Sequence, residues 1–385
     1  VSRIRVLQIV AGLDVGNTFG GAERCGLALA RGFNHDEVEP FVCSFWQAGS
    51  DEEARQIESL QNAGISFFFA TTQDEKRESK DFFAGARRIA NWCQSNRVDI
   101  AHAHHEGGAL AAWIAKRVGG AKRAIRTAHV PLELEWGAGG VGLVSRAMFS
   151  YALFPFLMDV EVNVSLDHAE KLRRRWPARF LHRKPVMIHQ AVPREGPIID
   201  PATRTSDGNV IISVGRLTEQ KSHRVLIAAM PRILAVVPDA KLWIVGDGEL
   251  RQALQQQINE SQLDTVITLW GARGDVPAML AKATVFALPS VWEGIPVSMI
   301  ESISAGVPVV ASDLPGVREL IAHEQSGWLV PAEQPKVLAD ALIDALTDAS
   351  RRLAFACEAQ KVLPEFSMPA IVERHMSLYR SILQA

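Results

Sequence analysis

The chain is poor in cysteine, nearly neutral, and without a long uninterrupted apolar run. Its 385 residues include four cysteines, Cys25, Cys43, Cys93 and Cys357, with no C-x-x-C and no metal-ligand spacing. A disulfide framework or cysteine zinc site is therefore not expected, and these read as scattered thiols of a reducing compartment. A net charge of −2 excludes a global field that would gather nucleic acid. The most hydrophobic window, residues 141–162, is broken by Arg146, Pro155, Asp159 and Glu161. A spanning helix needs about 20 mostly apolar residues, so this window is expected to be a buried helix. The first apolar run, Ile4–Ala11, contains Arg5 and Gln8 and reads as a strand rather than a signal peptide. No short-period repeat or low-complexity tract is present.

What the chain does have is apolar residues in quantity. Hydrophobic residues make up 48% and charged residues 22%, enough for a large core. The length exceeds one ordinary α/β domain, so two domains are expected. Charge is divided unevenly: residues 1–190 carry 24 Lys+Arg against 21 Asp+Glu, leaving 17 against 22 for the rest, or +3 and −5.

Short β-branched runs alternate with longer helical patterns, the signature of parallel βαβ units. Strands are expected at 5–11, 40–46, 67–71, 98–104 and 123–129, with helices at 22–33, 52–63, 81–95 and 107–118 between them. The rhythm breaks over residues 193–209, where Pro193, Gly196, Pro197, Pro201 and Gly208 mark a linker. It restarts with strands at 210–214, 241–245, 266–270, 284–288 and 307–311 and helices at 222–236, 250–261, 276–283 and 296–305. A last helix is expected over 369–383. Two consecutive doubly wound domains follow, and ligands in such sheets bind at the carboxyl ends of strands.

The densest chemistry lies in Pro289-Ser290-Val291-Trp292-Glu293-Gly294-Ile295-Pro296 and the helical pattern after it. Pro296 suits the first turn of a helix, which puts Glu293 on a strand-to-helix loop and Glu301 about a turn and a half inside the helix. Such a mouth offers free backbone N–H groups and the positive end of the helix dipole to anions. Carboxylates beside it can accept hydrogen bonds from hydroxyls. The two glutamates are either that kind of site or a capping residue plus a solvated one. Upstream, Gly215, Arg216 and Lys221 follow the strand at 210–214. Arg presents a planar fork and Lys a point charge to phosphate oxygens, although a solvated basic loop would look similar.

Further glycine loops end strands at Gly246/Gly248 and at Gly271–Gly274 with Arg273. The first is not a dinucleotide fingerprint, because position 251 is Arg, and a lone G-x-G is weak. Glu319, after the Pro315-Gly316 turn, reads as a first-turn carboxylate interacting with a helix dipole. In the first half, Gly12, Gly16, Gly20 and Gly21 lie between the first strand and its helix. They allow close approach of an anion, or else make a mobile surface loop. His102, His104, His105 and His129 gather at strand ends. Metal ligation is open but lacks a carboxylate partner at a suitable spacing, and a polar contact to substrate is the stronger reading for His129. The run 171–184 carries seven Lys/Arg and no acid, with Trp176, Phe180 and Leu181 interleaved. It is either a solvated helix face or a patch for anionic lipid.

Taken in order, Gly20-Gly21-Ala22-Glu23, the His129 strand end, Val214–Lys221, Val245–Gly248, Glu293–Glu301, Ala305–Val310 and Ser326–Pro331 resemble the GT-B-fold, retaining glycosyltransferases of family 4. The resemblance covers nearly the whole chain. It implies two Rossmann-like α/β domains facing across a cleft, with the C-terminal helix crossing back to the first. The expected boundaries are 1–193 plus 367–385 for an acceptor-side domain and 194–366 for a donor domain. It also implies a UDP- or GDP-sugar donor, a hydroxyl acceptor such as a growing or lipid-linked glycan, no cofactor and no metal.

By position, Arg216 and Lys221 would neutralise the donor diphosphate. Glu293 would contact hydroxyls of the donor sugar and Glu301 those of the ribose. Backbone N–H groups of Gly294, Ile295, Pro296 and Val297 would face sugar and phosphates, Pro296 lacking its own. His129 would lie by the sugar, with Gly20 and Gly21 permitting close approach. Gly215 would admit the phosphates, and the loop of Gly271 and Arg273 would grip the base. The expected location is cytoplasmic, with residues 171–184 as a potential peripheral membrane contact. Two departures stand out: His189-Gln190-Ala191-Val192 replaces a common Asn-Gly turn, and Gly294-Ile295-Pro296 replaces Gly-Phe-Gly. The rivals are a nucleotide-sugar isomerase or epimerase on the same fold and a non-catalytic binding subunit.

Overall fold

In the computed structural model, residues 3–15, 20–72, 79–129, 153–174, 185–189 and 197–385 are described. The chain divides into two compact units, Val1–Pro193 with Glu365–Ala385, and Arg194–Pro364.

The first unit is built on a seven-stranded parallel sheet. Its strands are β1 (Ile4–Val10), β2 (Val38–Ser44), β3 (Ser66–Phe69), β4 (Ile100–Ala103), β5 (Arg123–Ala128), β6 (Val160–Asn163) and β7 (Val186–Met187), in the order β3-β2-β1-β4-β5-β6-β7. The second unit carries β8 (Val210–Val214), β9 (Lys241–Val245), β10 (Ile267–Gly271), β11 (Val285–Leu288), β12 (Val309–Ser312) and β13 (Trp328–Val330), in the order β10-β9-β8-β11-β12-β13. Both orders reverse direction once, between β1 and β4 and between β8 and β11. Those are the topological switch points at which an open α/β sheet leaves a crevice for ligands.

Composition explains why these strands sit inside. All four residues of β11 are buried, as are the first four of β8, as expected of parallel strands covered on both faces. The helix His223–Leu234 supplies Val225, Leu226, Ile227, Ala229, Met230 and Ile233 to the same core. In the first unit the last helix, Met368–Gln384, lays Ile371, Met376 and Tyr379 against Val6, Leu29, Ile100 and Ile125. Full burial of an Ile or Leu side chain contributes about 1.5–3 kcal/mol, so the chain's final segment is a structural part of the first sheet's cover.

Three expectations are corrected. The window 141–162 does not form one buried helix: its described part holds a short helix, Phe154–Leu157, and then β6. The reason is the period-two Val160-Glu161-Val162-Asn163 pattern. Val162 packs into the core while Glu161 lies in register with Arg126 of β5, both almost fully buried, at 3.8 Å. Pro296 is the N-cap of its helix rather than a first-turn residue, with φ −74° and ψ 108°, and the helix spans Val297–Ser304. Glu319 follows the single-turn helix Pro315–Arg318 as its C-cap and holds no first-turn place. The basic run falls largely outside the described residues, which reach 174 and resume at 185. Among the described residues, no helix is long and apolar enough to cross a membrane.

Gly246 closes β9 with φ +138°, and a Cβ there would lie 2.0 Å from the Gly215 carbonyl oxygen. Gly246→Ala is therefore expected to cost about 1–3 kcal/mol, read as a lower urea midpoint with an unchanged m-value. A midpoint equal to the parent's would show that this backbone yields.

Candidate functional site

In the second unit the switch point gathers the residues singled out by sequence. β8 runs on into Gly215 and Arg216, and a 3-10 turn, Glu219–Lys221, carries the chain on to Ser222, whose left-handed φ of +48° starts the next helix. The neighbouring strand β11 runs into Pro289–Glu293. The Val291 N–H donates to the Gln220 carbonyl at 2.9 Å, and Gln220 Nε2 donates to the Trp292 carbonyl at 3.1 Å. These bonds fix one loop against the other.

Their result is an ion pair between residues 72 apart: Lys221 Nζ donates to Glu293 Oε1 at 2.5 Å, with side chains 16% and 6% exposed. Ser290 Oγ donates to the same oxygen at 2.6 Å. The sequence reading assigned Lys221 and Glu293 to different parts of a ligand; the fold joins them first to each other. It missed Ser290 and Gln220, whose signal was their place beside the two charged residues. Arg216 is exposed and makes no ion pair among the described residues, so its guanidinium is available.

Glu293 continues into Gly294, Ile295 and Pro296. Ile295 and Pro296 are buried and the others half-buried. A Cβ on Gly316 would fall 1.4 Å from the Gly294 oxygen, so the Pro315-Gly316 turn supports this loop from beneath. Val297 opens the helix, where the first N–H groups have no intrahelical acceptor. Glu301 lies half-buried on that helix. Gly271, with φ +73°, bridges Gly246 at the ends of β10 and β9. Arg273 is committed to a two-bonded pair with Asp275, at 2.6 Å and 2.6 Å, and lies over the Trp270 ring at 5.3 Å.

In the first unit, the Gly20 N–H donates to the Glu23 carboxylate at 3.0 Å, so that motif fastens the start of the helix Gly21–Gly32. Burial raises the Glu23 carboxyl above its ordinary value. The histidines separate into different roles. His105 caps the helix Glu106–Val118, its Nδ1 accepting from the Gly108 N–H at 3.1 Å. His129 stands half-buried at the end of β5, its Nε2 3.0 Å from His104 Nδ1. His104 Nε2 reaches Gln8 Oε1 at 2.7 Å. His102 is fully buried between Tyr379 and Thr127, 2.7 Å from each. Cys25, His104 and His129 bring ligand atoms within 4.8 Å of one another. A neutral imidazole nitrogen suits a metal, but the facing nitrogens of His104 and His129 are already engaged with each other.

Comparison with known proteins places this geometry. The family described as Glycosyltransferase Family 4 matches residues 19–194, and the family described as Glycosyl transferases group 1 matches residues 197–362. Among solved structures, the HepE protein of Anabaena, determined with UDP and glucose, has a TM-score of 0.80 at 18% identity, covering 98% of this chain and 100% of that one. The two doubly wound sheets are thus the GT-B architecture. The chain belongs to the GT-B glycosyltransferases of group 1, family 4 type.

Among curated relatives, a phosphatidyl-myo-inositol mannosyltransferase of Mycolicibacterium smegmatis is 24% identical over 77% of this chain and 74% of its own length. An Escherichia coli UDP-Gal:alpha-D-GlcNAc-diphosphoundecaprenol alpha-1,3-galactosyltransferase is 31% identical over 44% of this chain and 45% of its own. An uncharacterised glycosyltransferase of Methanocaldococcus jannaschii is 40% identical over 119 residues, which is 29% of its length. The alignment thus spans less than half of two of these three relatives.

Burial also sets a pH limit. It pushes His105 and His375 down to about 4 and His223, next to the Lys221 charge, down to about 3, while His102 and His104 also lie well below the ordinary value. Unfolded histidines titrate near 6.5. Below that pH the unfolded chain binds more protons than the folded one, so stability falls as pH drops from about 6.5 toward 4. Each such group steepens the fall by up to about 1.4 kcal/mol per pH unit, and the raised Glu23 carboxyl opposes it as a single group. Urea unfolding at pH 7.5 and 5.5 is expected to show a marked loss at the lower pH, reduced in His375→Gln. Equal stability at both values would contradict the buried neutral histidines.

Proposed function

We propose that the protein transfers a sugar, with retention at the anomeric carbon, from a UDP- or GDP-sugar to a hydroxyl of a lipid-linked or growing glycan. The observation that carries this reading is the Lys221–Glu293 pair at the β8/β11 switch point with the exposed Arg216 beside it. A diphosphate leaving group needs concentrated positive charge as its bond to the sugar breaks, and preorganised cations supply it without reorganising at the moment of reaction. Arg216 and Lys221 take that role. Glu293, fixed by Lys221 and Ser290, orients sugar hydroxyls with its carboxylate, and Glu301 accepts from ribose hydroxyls. The backbone from Gly294 to Val297 faces the phosphates, with Gly215 admitting them closely and the Gly271–Arg273 loop holding the base. From the first unit, His129 provides a hydrogen bond to the sugar, and Gly20 and Gly21 leave space beside it.

In this scheme the bond from the anomeric carbon to the phosphate oxygen breaks, and the acceptor oxygen bonds to the same face. The acceptor's proton passes to the departing phosphate. No carboxylate acts as nucleophile, so the spacing rules for paired carboxylates in glycoside hydrolysis do not apply. The acceptor class is supported by the mannosyl- and galactosyltransferases among the relatives, whose names specify phosphatidyl-inositol and a diphosphoundecaprenol-linked sugar. A cytoplasmic setting with peripheral membrane contact fits such acceptors.

Glu293→Gln and Lys221→Gln keep hydrogen-bonding side chains, yet each is expected to lower transfer by about 100-fold or more. Thermal unfolding serves to confirm that the variants are folded, and titration with UDP and GDP is expected to show weakened binding for Lys221→Gln. Full transfer by either folded variant overturns the assignment. Proton NMR of the product is expected to show the donor's anomeric configuration, and prior treatment with EDTA is expected to leave the rate unchanged. An inverted product or a chelator-sensitive rate would each remove that part of the reading.

A further inference from the structure

Beneath His129 lies a continuous run of polar side chains on which the scheme above makes no demand. His129 Nε2 lies 3.0 Å from His104 Nδ1, and His104 Nε2 lies 2.7 Å from Gln8 Oε1. Gln8 Nε2 lies 3.3 Å from the Tyr379 hydroxyl, which is 2.7 Å from His102 Nδ1; His102 Nε2 lies 2.7 Å from Thr127 Oγ1. Gln8, His102 and Tyr379 are wholly buried, and His104 and Thr127 are 3% exposed. With no access to bulk water, each of these groups depends on the others for its partners. The run joins β1, β4, β5 and the last helix, all within the first unit.

Proton counting gives the run a direction. A neutral imidazole has one donor and one acceptor nitrogen, and burial holds His102 and His104 neutral. Because Gln8 turns its carbonyl oxygen toward His104, His104 Nε2 carries the proton and Nδ1 is the acceptor. His129 must then donate from Nε2. At the other end, the Gln8 amide N–H donates to Tyr379, the Tyr379 hydroxyl donates to His102 Nδ1, and His102 Nε2–H donates to Thr127. Reversing the Gln8 amide would reverse every later bond and place the His129 proton on Nδ1.

We propose that Gln8, His104 and Tyr379 are positioning residues that hold His129 as its Nε2–H tautomer, so that its Nδ1 serves as a hydrogen-bond acceptor. Tyr379, 250 residues beyond His129 in sequence, acts through Gln8 and never touches the sugar. Control of the tautomer stands on this geometry alone; its consequence for transfer rests on the sugar-facing role given to His129 above. His129 Nδ1 is itself a buried atom, so a sugar hydroxyl must reach beneath the surface to donate to it and can do so only while that nitrogen is unprotonated. A mixed tautomer population would therefore slow transfer more than it weakens donor binding.

The test is nitrogen-15 NMR of histidine-labelled full-length protein, with His129→Gln assigning the resonances. The expected parent spectrum shows a protonated Nε2 and an unprotonated Nδ1 for His129. Tyr379→Phe keeps the ring and removes the hydroxyl, and Gln8→Met removes the amide. In either variant, confirmed folded, the His129 nitrogens are expected to shift toward a mixture, with kcat down about fivefold to tenfold, the equivalent of about one hydrogen bond, and donor KM little changed. A parent His129 protonated on Nδ1, or an unchanged tautomer in both folded variants, would overturn the inference. A mixed tautomer with full transfer would support the positioning chain and instead remove His129 from the proposed transfer site.

Discussion

The second unit's site depends on one interaction, the Lys221–Glu293 ion pair. Opposite charges taken out of water lose hydration worth several kcal/mol per ion, and their attraction restores it only when geometry is good and remaining lone pairs are bonded. The first condition is met and the second in part, since Gln220 Nε2 lies 3.5 Å from the other carboxylate oxygen. The contact is 2.5 Å, and Ser290 bonds the same carboxylate oxygen. Loss of either partner would strand the other charge, and the Val291–Gln220 and Gln220–Trp292 bonds tie together the two loops that carry them. Within the pair the two charges offset each other. In the proposed reaction an incoming diphosphate then meets a lysine already oriented, and the exposed Arg216, which makes no ion pair among the described residues, adds positive charge.

Sheet order makes that pair possible. In a parallel doubly wound sheet every strand ends on the same side, and only at the switch point do two adjacent strands send their chains to opposite faces. β8 and β11 are such neighbours, which is how residues 72 apart come into contact. The glycines matter here through absent atoms. The Gly294 carbonyl occupies the place where a side chain on residue 316 would begin, and the Gly215 carbonyl that of residue 246. The loop bearing Glu293 is thus shaped from below by backbone, which leaves its upper surface to side chains and N–H groups.

Much of this was readable in advance, for identifiable reasons. Short β-branched runs set between longer helical patterns marked the strands, and the strand-end positions of Arg216, Lys221, Glu293 and His129 followed from that alternation. Their mutual contacts did not, because pairing across a switch point depends on strand order, which no local pattern records. Window 141–162 misled because its composition is apolar while its decisive feature is a four-residue alternation; Glu161 is tolerated only because Arg126 lies in register on the next strand. Pro296 was displaced by one position because a proline is acceptable both at the N-cap and in the first turn. The role of Tyr379 left no signal at all. It sits on a helix whose spacing announces only an amphipathic cover, and its partners Gln8 and His102 lie far away in sequence.

The two units meet the same constraint by different means. Each buries polar groups near the carboxyl ends of central strands, where apolar packing would leave nothing to bind a ligand. The second unit uses full charges, which must be paired. The first uses neutral imidazoles, an amide, a phenol and an alcohol, which must be aligned. Alignment has a property that charge pairing lacks: each neutral link both gives and receives, so the orientation of one group fixes its neighbours. Its cost appears below pH 6.5, where the unfolded chain takes up protons that the buried His102 and His104 do not. Buried histidines held far below their ordinary range are what such a chain requires: they stay neutral and aligned in the folded unit as the pH falls, and the first unit loses stability for the same reason.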